Sequence, residues 1–399
     1  MATHELLILR TARNYKLILQ RLFFIEKPRM KWPLVFLIVL HQTLQITGAI
    51  LFMIGSKAST HSIMAPATLA GKIYALILPS GYIVFAIWWR QIDYVVETLQ
   101  EVNEILFYAQ FPLLGSLRAA VITELESRHR TIILCLAYAS HVAVSVYFLP
   151  SLTALFFNPS QLRLPVEMAD PFPLLGIASN DLIRVLIYFG YFASYLLHFY
   201  ITFTGAAILI VTVDSLKTAF SVCGLCLETL GHGRSADWEQ FVDAVKLHQR
   251  LFRLAAKMKN AIEPLLTIII TGTVAYNAIA GLAFVPDVKV QNMNMGTGIL
   301  ITYAIIVALF VLPGTTSLMA DDIVTKIYFN ELWVARKCEF VPLFPFMIMR
   351  SNTLVKFRIY DCWSLTSETL VQYTNLLYSS YVVLKSAVSK YDKDTNPKF

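Results

Sequence analysis

Near the end of the chain, Glu368, Gln372, Asn375, Ser379, Val383 and Ser386 recur every three or four residues. On a helix they fall within an arc of about 80°. A carboxylate and two amides are costly in hydrocarbon, so such an arc faces either the interior of a helix bundle or a water-filled path. In a water path, Glu368 would concentrate cations near one mouth. Val383, the apolar member of the arc, would form a constriction that closes by dewetting. The competing reading is that the arc hydrogen-bonds to adjacent helices and that Glu368 pairs with a loop Lys or Arg. The residues alone leave both open.

A second group suits binding. Tyr188, Tyr191 and Tyr195 stand on one face of an apolar run, and the candidates facing them are Tyr74, Ile77 and Ser80, then His141, Ser145 and Phe148, then Tyr303, from three further runs. If they converge, they form an apolar, aromatic pocket with a few hydroxyls to orient a small ligand. An aromatic stripe also serves plain packing, so this expectation rests on the convergence of several runs.

Other chemistry finds no support. Cys223 and Cys226 have the CxxC spacing but no second ligand pair, and all five cysteines fall in spans or inside loops, where thiols stay reduced. Walker, HExxH and GxSxG patterns are absent. The expectation is therefore no catalytic residue, no metal site and no cofactor. His41 and Gln45 share a face of the first span and suit inward packing.

These residues need a membrane-spanning scaffold. Only 15% of the chain is charged and 57% is hydrophobic, against about 25% charged in soluble domains. Basic residues are scattered through loops without interleaved stacking aromatics, so nucleic acid is not the partner. Uncharged runs at 32–56, 73–89, 131–162, 185–213, 264–286, 290–320 and 369–384 mark seven crossings. With the amino terminus inside, 24 of the 33 Lys and Arg residues lie on the cytoplasmic side, as the positive-inside rule asks. The carboxyl terminus then lies outside.

The expected fold class is all-α: a seven-transmembrane helix membrane protein with a cytoplasmic helical anchor layer and a last helix lining a pore in an oligomer. Residues 1–32 form an amphipathic segment suited to the inner interface, and 33–213 carry helices one to four with the pocket. Residues 214–262 form a cytoplasmic helical loop, 263–313 helices five and six, 314–361 a cytoplasmic anchor helix, 362–388 the pore helix and 389–399 an extracellular tail. The last apolar helix is expected from Trp363 to Leu384, roughly 33 Å long and enough to cross a bilayer core.

Thr366-Ser367-Glu368-Thr369-Leu370, followed by Tyr378-Ser379 and then by Val383 and Leu384, resembles the final helix of the insect odorant receptors. Leu370 and Ser380 depart from that family's pattern. The resemblance implies an odorant-gated, non-selective cation channel in the cell membrane, in the dendrites of olfactory neurons. The chain would be a tuning subunit joined to a shared co-receptor in a heterotetramer, binding a small volatile odorant and surrounded by lipid. Carried over from Glu368 without gaps, it puts the gate at Val383 and the outer mouth at Ser386 and Ala387. Alternatives are a gustatory-type channel, a seven-helix receptor coupled to a G protein, with the amino terminus outside, and a solute transporter, which the missing internal repeat disfavours.

Overall fold

The computed structural model describes residues 6–22, 91–107, 115–157, 181–229, 237–282, 342–352, 357–359 and 363–395. The elements are α1 (Leu7–Leu22), a helix over 91–107 that we label α2, α3 (Gly115–Phe157), α4 (Asp181–Thr229), α5 (Asp237–Leu282), α6 (Leu343–Asn352), the short strands β1 (Arg358–Ile359) and β2 (Trp363–Ser364), and α7 (Ser367–Thr395). Apart from this hairpin, the described elements are helical, as an all-α protein should be.

The lower half of α4 is the spine. Its side chains from Ala206 to Val213 are buried with few breaks, as are Leu216, Ala219, Cys223 and Leu227. A helix apolar on every side must be covered on every side. Accordingly α3 and α5 both pack on α4, α1 lies against α3 and α4, and α7 packs on α5. The buried hydroxyls of this stretch bond within their own helix. Ser215 Oγ donates to Val211 O at 2.8 Å and Thr218 Oγ1 to Asp214 O at 2.9 Å, which satisfies hydroxyls that would otherwise be costly to bury.

Among the described residues, one stretch is apolar and long enough to cross a membrane, the 26 residues Phe203–Glu228 of α4, and 89% of its apolar window is buried within the chain. The expected runs 131–162, 185–213, 264–286 and 369–384 fall largely on α3, α4, α5 and α7. The runs 32–56, 73–89 and 290–320 lie outside the described residues.

The helical stretch expected to begin at Asp214 is continuous with the fourth run: α4 passes straight through the charge to Thr229. The carboxylate is only 5% exposed and its Oδ2 lies 3.4 Å from both Arg128 Nε and His129 Nε2 of α3, so a partner inside the bundle replaces water. The final helix begins at Ser367 rather than Trp363, because Trp363 and Ser364 pair antiparallel with Ile359 and Arg358. It also continues to Thr395, well beyond Leu384. Finally, the apolar face of α1 is not given to lipid: Leu6, Ile8, Leu9, Ala12 and Tyr15 are all buried in the protein core.

Charged residues join the helices around this core. Lys257 of α5 sits between Glu97 Oε2 at 2.9 Å and Glu101 Oε1 at 3.6 Å on α2, and Arg250 reaches Glu104 Oε2 at 2.9 Å. The Lys257 pKa is raised, first by its hydrogen bond to Glu97; burial opposes this, and the negative charges of Glu97 and Glu101 add to the rise. Lys16 ties α1 to Asp93 of α2 in the same way.

Candidate functional site

The site is built on α7, whose start is fixed by side-chain chemistry. Thr366 caps the helix: its Oγ1 accepts from the Thr369 N–H at 3.3 Å and lies 3.0 Å from Thr369 Oγ1. Thr366 O accepts the first helical bond, from Leu370 N at 3.0 Å. A threonine at this position satisfies donors that the helix cannot satisfy itself. Glu368 follows in the first turn, where the partial positive charge of the helix terminus favours a carboxylate.

The hairpin before α7 is held to α5. Leu365 N–H donates to Phe357 O at 2.9 Å, extending the strand pairing, while Phe357, Ile359 and Leu365 are buried. Glu263 of α5 accepts the Arg358 backbone N–H on Oε1 at 2.6 Å and is braced by Lys259 Nζ at 3.7 Å. Pro264 follows inside α5 and removes one backbone donor, leaving the Asn260 carbonyl without its usual helical partner. Further along, Tyr373 is fully buried against α5, with its hydroxyl accepting from Asn277 Nδ2 at 3.5 Å.

With Thr369 and Tyr373 buried and Leu370 and Leu377 packed on the core, α7 has one face committed to its own chain. The opposite face is open. Glu368, Gln372, Asn375, Ser379, Val383 and Ser386 are all exposed, and Val383 is 66% exposed. Exposed beside them are Val371, Tyr378 and Val382. Six residues that sequence spacing places on one arc therefore share one solvent-facing side of the protomer. Ala387 lies on α7, but its side chain is outside the described residues.

The expected pocket is only partly described. His141 and Ser145 of α3 are exposed, and the His141 ring donates through Nδ1 to Ala137 O at 2.8 Å, one turn back. Phe148 lies on α3 and Tyr188, Tyr191 and Tyr195 on α4, with side chains outside the described residues. Tyr74, Ile77, Ser80 and Tyr303 lie outside the described residues altogether.

Sequence reasoning missed the two joints that hold α7, Glu263 to Arg358 and Asn277 to Tyr373. Each partner lies about 95 positions from the other, so no local spacing signals the pair. The Asn277 and Tyr373 pair had a faint signal, since each is a polar group in an apolar stretch that must find a partner.

Solved structures share this fold. The insect olfactory receptor OR5 from Machilis hrabei superimposes with a TM-score of 0.73 at 13% identity, covering 94% of this chain and 97% of that one. The same receptor in complex with eugenol gives a TM-score of 0.70 at 13% identity, covering 95% and 98%. The chain has the fold of an insect olfactory receptor. The olfactory receptor fold here spans almost the whole sequence. No protein-family model matches the chain, and no curated protein matches it in sequence.

Proposed function

We propose that this chain is the odorant-binding subunit of a ligand-gated, non-selective cation channel. In this reading the protein is a multi-pass protein of the cell membrane, crosses it seven times with its amino terminus in the cytosol, and assembles with a co-receptor subunit around a central pore. A volatile ligand occupies the bundle among Tyr74, Ile77, Ser80, His141, Ser145, Phe148, Tyr188, Tyr191, Tyr195 and Tyr303. It binds the open state more tightly than the closed one and shifts the population by that difference alone. Val383 is the gate, Ser386 and Ala387 form the outer mouth, and Glu368 concentrates cations at the inner one.

The observation that carries this reading is the face of α7 that its own protomer leaves uncovered, in a fold shared over 95% of the chain with an olfactory receptor solved with eugenol. A stripe holding a carboxylate, two amides and hydroxyls is stable at membrane depth only against water or polar partners. One helix with one such stripe cannot enclose a channel, so several copies around an axis are required.

The test is electrical. Val383→Ala or Val383→Gln, expressed with a co-receptor, is expected to raise basal leak and change ion preference, because a smaller or polar residue no longer holds the constriction dry. Unchanged leak, preference and rectification would remove Val383 as the gate.

A further inference from the structure

We propose that Tyr381 and Lys385 form a latch at the outer mouth of the pore, in which the tyrosine ring holds the lysine charge off the ion path. The proposal rests on the reading of α7 as pore-lining and adds two residues to it. Lys385 is exposed and its Nζ lies 6.0 Å from the centroid of the Tyr381 ring, one turn back on the same helix. Tyr381 is half-buried, so its ring is set against the protomer while Val383, between the two, is 66% exposed.

On a helical wheel centred on Glu368 and Ser386, Lys385 lies about 100° to one side and Tyr381 about 140° to the same side. Contact with the ring therefore draws the ammonium toward the protein flank and away from the polar stripe. Attraction between an ammonium and an aromatic face supplies the force. Without the ring, the flexible four-carbon stem lets the charge swing toward the stripe, near Ser386. A positive charge there repels cations arriving from outside, and over these few ångströms saline screens it only in part, since the screening length is about 8 Å. A lysine that merely anchors the helix at the membrane interface would leave the current–voltage relation indifferent to the ring.

The basal Na⁺ current of the Val383→Ala channel reads the latch without any odorant. In that background, Tyr381→Leu is expected to lower the ratio of inward to outward current roughly twofold, the Boltzmann factor for two unit charges about 8 Å apart in water. Adding Lys385→Gln should abolish the drop, and Tyr381→Phe, with the aromatic face kept, should restore the starting ratio. Tyr381→Met replaces the leucine variant if that one fails to reach the membrane. An unchanged ratio in the ring-deleted channel, or a drop that persists after Lys385→Gln, overturns the latch while leaving the pore reading intact. Absence of any basal current in both Val383→Ala and Val383→Gln removes Val383 as the gate, and the latch placed beside that gate falls with it.

Discussion

His248 is 1% exposed, with Nε2 2.8 Å from Ser351 Oγ and its ring 4.8 Å from that of Phe252. Arg350 lies over the same Phe252 ring at 5.6 Å. Burial, reinforced by the positive charge of Arg350, pushes the imidazole pKa down to about 4. The folded protein therefore keeps this histidine neutral at pH values where the unfolded chain protonates it. Its contribution is complete above about pH 6.5 and is lost as pH falls toward about 4, a change on the order of 3 kcal/mol. Thermal unfolding of the solubilised protein across that window should show the loss, and His248→Gln should flatten the slope. An unaltered slope in the variant would show that other groups carry the acid sensitivity. Burial shifts the Tyr15 pKa in the opposite direction for the same reason, since it favours the neutral form: the phenol is driven well above its usual range and stays protonated.

At the scale of elements, the joint that matters is the one between α5 and the hairpin that launches α7. Glu263 is 16% exposed and its bond to the Arg358 N–H is charge-assisted, so the pair is worth more than an ordinary surface contact. Glu263→Ala is expected to cost about 1–2 kcal/mol and to loosen the start of α7, whereas Glu263→Gln keeps an acceptor and loses less. Unfolding midpoints measured side by side should rank wild type above Gln above Ala. Equal midpoints for the two variants would mean that the acceptor is dispensable. The open face of α7 was legible in advance because helical periodicity needs no partner to be recognised. The true start of that helix was not, because Trp363 and Ser364 are recruited by strand partners four and six residues earlier.

For the whole molecule, the decisive quantity is orientation. Because 24 of the 33 basic residues belong to segments expected inside, a tag at the amino terminus should be hidden in unpermeabilised cells and one at the carboxyl terminus should be stained. The reverse pattern at the amino terminus would favour a receptor coupled to a G protein. The exposed arc of α7 lies opposite the face packed on α5, so assembly can cover it without disturbing the protomer's own core.

Residue types and their spacing determined by themselves that the protein is helical and carries apolar runs long enough to cross a membrane, that Glu368 through Ser386 share one side of a helix, and that no known catalytic motif is present. Both patterns arise from local chemistry, the cost of charge in hydrocarbon and the 3.6-residue turn. Only the tertiary structure decided which side of α7 its own chain covers, that Asp214 can lie inside α4 because α3 brings Arg128 and His129 to it, and that α1 spends its apolar face on protein. Each of these depends on contacts between residues far apart in sequence, and burial of a charge or of an apolar face is settled by what packs against it.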